Sequence, residues 1–489
     1  MATQAQHKLD DDLAWAVEDV RARLDRYALH RDYYDGRHRL VFATEKYRNT
    51  FGDLFREFAD NMCDDVVDES VDRLGVQAWE GKNDAQTNAA MEAWETLKGE
   101  ARLGILARDS WGLGDGFLMV WPASDGKARW HVQRPEQCAV RYDDDDPDRL
   151  AFFAKVWREG KLYRANLYYS DGTLARFATK GTSAGGGLPQ ARAFLPFVGT
   201  DAAGEPQEAV TVHDMAAVPA WHFPADELGR YGRSVLADVI PLQDALNKSV
   251  SDLLVAMERR AMPSRWATGV EVQIDPVTGK ETDPFDERKP FWWTAGKEAA
   301  FAQFPQDSMA DFLAVQDSLR LEIARKGALP VYSVPTSNGS STSTPSGIAL
   351  LVQEGRQVKR VKDWGRDHGT SLCQIMAHTL TLNGIPTEPE DLTITWVEAS
   401  TRDEKALLEG LQIKVNDLGV TKAKAQAEMG YTPEEIGEMA DERAANAPDA
   451  GPLPAGGRAN PLTASDAEKV NAALGLPGGP GEGSPLAGE

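Results

Sequence analysis

Apolar residues at Leu13, Val17, Val20, Leu24 and Tyr27 keep helical spacing and predict a helix over residues 13–28, with a break at Gly36. The spacing returns at Met62, Val66, Val67 and Val71, for a helix over 61–74 that Gly75 closes. Trp94, Leu97, Leu103 and Leu106 predict a further helix over 88–109. The pattern then changes to β-branched and aromatic runs between turn residues: 116–121, 129–133, 138–142, 151–157, 162–169 and, later, 218–223. The acidic run Asp143–Asp146 sits between two of these runs. It lacks the alternating spacing of a calcium loop and reads as a solvated hairpin tip. Residues 179–187 read as a Gly/Ser loop.

Two strongly helical stretches follow, 232–260 and 309–326, on either side of an insert of different character. In the first, Leu236, Val239, Gln243, Leu246, Val250, Leu253 and Met257 recur at alternating three- and four-residue steps, a narrow seam suited to packing on a neighbouring helix. The opposite side carries Asp238, Asp244, Lys248, Ser251, Asp252 and Arg259. At 1.5 Å per residue this helix would reach roughly 40 Å. The insert reads as a small β unit whose Trp266, Phe285, Trp292 and Trp293 offer a contact surface. The second helix stops at Gly327, and Pro330 supports the stop.

From Gly327 to Gln353 there is no Lys, Arg, Asp or Glu, although 26% of the chain is charged. Within that stretch Ser333, Thr336, Ser337, Asn338, Gly339, Ser340, Ser341, Thr342, Ser343 and Thr344 form a long hydroxyl- and amide-rich loop. A helix over 346–382 follows, then a strand over 392–397 and two or three short helices over 401–442. The long helix carries Arg356, Lys359, Arg360, Lys362 and Arg366. Because Asp363 and Asp367 interrupt that row, a solvated or intersubunit face is favoured over a phosphate site. Residues 446–489 are so rich in Gly and Pro that a disordered tail is expected.

Charge changes the picture. With 53 Lys+Arg against 76 Asp+Glu the net charge is −23, whereas proteins that grip nucleic acid show a basic footprint. The chain either never meets DNA or meets it without holding it. Its length implies two to four domains. Three widely spaced cysteines argue against a disulfide framework or a thiolate zinc site. The start shows no signal peptide and no run is apolar enough for a membrane span, so a cytosolic, reduced protein is expected.

Candidate chemistry is sparse. No P-loop or H-E-x-x-H occurs. Gly112-Leu-Gly-Asp-Gly116 precedes a strand, whereas a dinucleotide fingerprint follows one. Gly181-Thr-Ser-Ala-Gly185 spells a nucleophile elbow, but Gly186, Gly187 and Pro189 forbid the helix it needs. His131, His222 and His368 read as structural. An enzymatic alternative remains, a metal-dependent nuclease or hydrolase using carboxylates among Asp64, Asp65, Asp68 and Asp115.

Several short segments in fixed order carry a resemblance. They are Tyr33-Tyr-Asp-Gly36, Asn61-Met-Cys-Asp-Asp-Val-Val-Asp68, Trp111-Gly-Leu-Gly-Asp-Gly-Phe117, Gly232-Arg-Ser-Val-Leu236, Ile240-Pro-Leu-Gln-Asp-Ala-Leu-Asn-Lys248, Pro263-Ser-Arg-Trp-Ala-Thr-Gly269 and Pro345-Ser-Gly-Ile-Ala-Leu350. From about Tyr33 to Glu442 the chain resembles the portal, or head–tail connector, proteins of tailed bacteriophages of the siphovirus type. The resemblance implies an α+β portal fold. Its parts would be an α/β wing (1–231), stem helices (232–261 and 308–327) around a small β-containing clip (262–307), a tunnel loop (328–345), a long wing helix with its closing strand (346–398), a helical crown (399–445) and the tail (446–489). It also implies a non-catalytic ring, usually of twelve copies, at one capsid vertex of the virion. Double-stranded DNA would be packaged and ejected through it. The implied partners are the terminase large subunit, head-completion or adaptor proteins, and major capsid and scaffolding proteins, with assembly in the host bacterial cytoplasm. No cofactor, metal or membrane is implied; the alternative beside the portal reading is another head or tail component, such as a connector adaptor. On this plan 333–344 would line the channel, Leu236 to Met257 would form an intersubunit seam, and the insert's aromatics would meet the partners.

Overall fold

In the computed structural model the first helical stripe extends at both ends, giving α1 (Ala2–Tyr34), and Gly36, at φ 74°, turns the chain away. The structure describes residues 2–39, 60–146, 148–181, 187–200, 206–212, 215, 217–226, 230–261, 265–268, 279, 300–303, 309–334, 347–400, 404–429, 431 and 433–445. They fall into two units, Met1–Thr401 and Arg402–Glu489. In the first unit, α2 (Cys63–Val71), β1 (Val76–Gly81), α3 (Asp84–Thr96) and α4 (Gly99–Leu113) follow α1. Next come β2 (Asp115–Pro122), β3 (Ala128–Gln133), β4 (Cys138–Tyr142), β5 (Leu150–Glu159), β6 (Leu162–Tyr169), β7 (Thr173–Thr179), β8 (Phe194–Pro196), β9 (Gly199–Thr200), β10 (Pro206–Gln207), β11 (Val210–Val212) and β12 (Ala220–Pro224). Then come α5 (Ile240–Ala261), β13 (Arg265–Thr268), β14 (Ala300–Gln303), α6 (Met309–Gly327), α7 (Gly347–Leu382) and β15 (Leu392–Trp396). The second unit holds α8 (Glu404–Asn416), α9 (Lys422–Met429) and α10 (Pro433–Ala445).

Two antiparallel sheets build the first unit. One runs β11-β7-β6-β5-β4 with β8 also on β7; the other runs β12-β2-β3. Leu13, Ala16, Val17 and Val20 of α1 bury against Phe152, Ala154, Val156, Ala165 and Leu167 of the larger sheet. Each Leu, Val or Phe among them, fully buried, contributes about 1.5–3 kcal/mol. Phe117 and Met119 meet Phe153, Tyr168 and Leu174 between the sheets. The main core joins α2, α3, α4, β2 and β3 to the first turns of α5, the end of α6 and the middle of α7. Trp364 of α7 donates from Nε1 to Ser110 Oγ (3.1 Å), and Trp130 Nε1 donates to Thr379 Oγ1 (2.7 Å), so the long helix is fixed at two heights.

Three departures from the sequence pattern have local causes. The helix expected over 88–109 is two helices, α3 and α4. Lys98 adopts φ 51°, and a Cβ on Gly99 would lie 2.2 Å from the Trp94 ring, so the chain must turn there. β1 and β7 join the predicted strands; β1 pairs antiparallel with β15 from the far end of the unit. At the end of α6 the left-handed residue is Ala328 (φ 58°), not Gly327, and Leu329 N donates back to Ala324 O (2.9 Å). Gly327 is small for another reason: a Cβ would lie 2.5 Å from Val66.

Two predictions follow from this packing. Ala328→Gly should relieve about 1–2 kcal/mol of left-handed strain against ~0.5–1 kcal/mol of glycine entropy, giving a slightly higher urea midpoint; a lower one would contradict it. The second concerns pH. Buried His368 donates from Nε2 to Pro224 O (2.9 Å). Burial, opposed by that bond and reinforced by His222, lowers its pKa to about 4. Burial, with Arg26 adding to it, likewise lowers His30 to about 4. A histidine held neutral in the fold binds fewer protons than it does unfolded. Its stabilisation is therefore present above about pH 6.5 and lost as pH falls towards 4. The melting temperature should drop through that window, and His368→Gln should flatten the slope; parallel curves would refute the assignment.

Candidate functional site at the root of the paired helices

The helix expected from Gly232 begins only at Ile240, because residues 232–239 form a knot with the α4–β2 turn. Gly232 N donates to Asp115 Oδ1 (2.8 Å). A Cβ on Gly232 would lie 2.3 Å from Gly114 O and 2.5 Å from Ala225 N, and Gly114 itself has φ 105°. Ser234 Oγ donates to Gly112 O (2.6 Å) and accepts from Leu236 N (3.0 Å), while Val235 N donates to Trp111 O (3.0 Å). Pro241 then occupies the first turn of α5, where its missing N–H is no loss. Two segments about 120 residues apart thus interlock.

Asp115 is the charged centre of this knot, with no exposed surface. Its other acceptor sites take the Tyr27 hydroxyl (2.6 Å), Arg26 Nη2 (3.1 Å) and His222 Nε2 (2.9 Å), and His222 Nδ1 accepts from the Tyr142 hydroxyl (2.7 Å). Burial alone would raise the carboxyl's pKa. The hydrogen bonds from His222, Tyr27 and the Gly232 amide outweigh it and leave the pKa below its ordinary value. Beside it the Arg23 guanidinium lies 3.7 Å from the Tyr231 ring centre, and the Tyr231 hydroxyl donates to Asp19 (2.6 Å).

A second clamp grips both long helices. Gln243 of α5 is fully buried; its Nε2 donates to Asp60 O (2.5 Å) and its Oε1 accepts from Met62 N (3.0 Å). Asn247 Oδ1 accepts from Asp60 N (2.9 Å), and the Asp60 carboxylate accepts from Arg320 of α6 (2.9 Å). Tyr33 donates to Asp244, and Asn61 Nδ2 to Tyr34 O (3.2 Å). The seam expected between subunits therefore divides. Leu236, Val239, Gln243 and Leu246 are buried in the chain's own core, Val250 and Leu253 are half-buried, and Met257 is 52% exposed. On the opposite, polar side, Asp244 and Ser251 are also buried, and Lys248 pairs with Asp252. Heptad spacing is the same whether the partner helix belongs to the same chain or another, so spacing could not separate these parts.

The charge-free stretch starts from a pinned foot. Ser333 Oγ donates to Pro330 O (2.8 Å), and Tyr332 donates to Glu354 of α7, which is 1% exposed and also accepts from Arg73 (3.2 Å). Arg356 donates to Arg325 O (2.6 Å), tying the start of α7 to the end of α6. Thr336 to Thr344 lie outside the described residues, as do Phe285, Trp292, Trp293, 182–186, the tail over 446–489 and the side chains of Trp266 and Arg259. The insert is seen where it leaves and rejoins the helices: β13 and β14 pair antiparallel.

Of the acids of the enzymatic alternative, three share the short helix α2 and the fourth, Asp115, is apart from them in the knot. Asp68 accepts from Arg108 (2.8 Å) and Tyr34 (3.1 Å), and Asp64 and Asp65 lie on α2, whereas Asp115 is saturated in the knot. Among the described residues no three His, Cys, Asp or Glu side chains form a metal-holding group. The basic row of α7 is largely paired on its own surface: Lys359 with Asp363 (3.6 Å), Lys362 with Glu398 (2.8 Å), Arg366 with Asp363 and Asp367 (3.0 and 2.9 Å). The acidic run's Asp145 N donates to Asp143 Oδ1 (3.1 Å) at an exposed turn. No helix among the described residues is long and apolar enough to cross a membrane.

No curated protein matches the chain in sequence. Among solved structures, a chain in the virion of a native gene transfer agent particle is 13% identical, with 79% of this chain and 92% of that one covered and a TM-score of 0.43. A chain in the neck of the native particle computed with C12 symmetry is 12% identical, with 80% and 95% covered and a TM-score of 0.43. The family described as phage portal protein, SPP1 Gp6-like, matches residues 14–449. The chain belongs to that family of phage portal proteins.

Proposed function

We propose that copies of this chain close side by side into a ring, twelve by the family plan, whose pore carries double-stranded DNA into and out of a phage head. It would sit at one capsid vertex of the virion, as a structural conduit without catalytic activity. The insert over 262–307 would meet the terminase and later the head-completion proteins; capsid and scaffolding proteins would surround the wing. One observation carries the reading: a stretch without charged residues from Gly327 to Gln353, joining α6, held by Arg320 in the Asp60 clamp, to α7, whose Arg356 donates to Arg325 O. A twelvefold ring would multiply a charge of −23 per chain, a wall that disfavours adsorption of a polyanion. Where a loop comes closest to phosphate, hydroxyls and amides give weaker, more exchangeable bonds than ion pairs.

Negative-stain images of the purified chain should show a rotationally symmetric annulus with an axial hole; compact monomers would overturn the proposal. Replacing Ser337, Ser340 and Ser343 by Lys should slow or trap DNA during packaging, and an unchanged packaging velocity would sink the low-friction reading. Assembly should separate from folding along α5. Met257→Asp is expected to leave a folded subunit that assembles poorly. Leu246→Asp, at a site with no exposed surface, should cost several kcal/mol, of order 3–5, and unfold the subunit instead. Native mass spectrometry with melting curves distinguishes the two; a folded, unassembled Leu246→Asp chain would restore the intersubunit role to that residue.

A further inference from the structure

β12 is an edge strand: among the described residues it pairs with β2 alone. Val120 N donates to Pro219 O (3.0 Å), so by antiparallel alternation Trp221 and Phe223 direct their main-chain groups to β2. Ala220, His222 and Pro224 direct theirs outward. The Pro224 carbonyl is taken by His368 of α7. The remaining outward groups face a groove of about 860 Å³, walled on one side by the β4–β5 hairpin and on the other by α7. Trp221, held by Gln374 (3.0 Å), supplies an apolar wall. Five residues of strand span roughly 17 Å, and an edge of this kind is a template for adding another strand.

The walls say what would fit. Asp146 and Asp148 line one side and Asp367 and Glu388 the other, against Arg149 as the single Lys or Arg in the lining. Asp367 shares its charge with Arg366 (2.9 Å); the balance remains acidic. That excludes a phosphate backbone as occupant. It also disfavours the chain's own residues 446–489, where Arg458 and Lys469 are outnumbered by Asp449, Asp466, Glu468, Glu482 and Glu489. We infer that the groove receives an extended segment of a partner protein, carrying Lys or Arg at alternating positions, which pairs with the free edge of β12. This goes beyond the conduit function and does not depend on DNA passing through the chain.

The test uses the full-length assembled chain and synthetic ten-residue peptides: alternating Lys/Val, alternating Glu/Val, and Lys/Val N-methylated at every second residue in either phase. The Lys/Val peptide should bind and slow amide hydrogen exchange at Ala220 and His222, while the Glu/Val peptide should not. N-methylation in one phase should abolish the protection, since it removes the donors that face β12. The triple variant Asp146→Lys, Asp148→Lys, Glu388→Lys should weaken binding by about tenfold with the melting temperature unchanged. Equal binding of both N-methylated peptides would mean adsorption to an acidic surface and would overturn the inference. So would amides at 220 and 222 that are already protected without peptide, which would mean that a neighbouring copy or another part of the chain covers the edge.

Discussion

A carboxylate with no access to water fixes where the chain's two halves meet. Asp115 persists ionised in the core because donors from α1, β12 and the approach to α5 saturate it. Such an arrangement adds little net stability over an apolar one, but losing a partner leaves a buried charge, at a cost of about 3–5 kcal/mol. It therefore selects one geometry. The Gly232 amide must point at Oδ1, Gly232 must pass Gly114 too closely for any side chain, and the direction in which α5 departs is set.

From that constraint the Asp60 clamp follows. Once α5 leaves the knot, Gln243 and Asn247 fall one turn apart on one face and close on the backbone of residues 60–62. The same residue's carboxylate holds Arg320 of α6. α5 is thus fixed to the α/β body at its inner end by amide hydrogen bonds, which are directional, and by apolar burial of Leu236, Val239 and Leu246, while α6 is held by the Arg320–Asp60 ion pair. Farther out, apolar burial fades to the exposed Met257. The inner half of the helix is thus committed to the chain's own fold, and the outer half keeps an exposed apolar side chain.

Much of this was legible in the sequence, and the losses have physical reasons. Period-3.6 stripes located α1, α2, α6 and α7, and aromatic and β-branched runs located β2 to β6. Strand β1 was missed because Val76-Gln-Ala-Trp-Glu-Gly81 has one buried side chain, Trp79, and gains its partner β15 from more than 300 residues away. The break at Gly99 was missed because it depends on where the Trp94 ring lies. Asp115, Gly232, Met62 and Gln243 all stood inside the short segments that carry the family resemblance, yet nothing in their spacing says that Gly232 meets Asp115 or that Gln243 meets Met62. Long-range hydrogen bonds leave no period. Nor could spacing separate the seam into residues packed within the chain and residues left exposed.

The charges flanking the uncharged stretch make the final step. Arg325 pairs with Glu322 and lends its carbonyl to Arg356; Glu354 is buried with Arg73 and Tyr332. The arginines at the two ends of the stretch are therefore engaged in fixing its feet, and what lies between Lys326 and Glu354 offers only neutral donors. A charge-assisted hydrogen bond is roughly twice as strong as a neutral one. In a closed ring each free lysine on such a loop would be repeated in every copy, and the grip on a passing duplex would grow with the number of copies while the driving force per step would not. An uncharged loop is the composition that would keep such a many-fold contact weak.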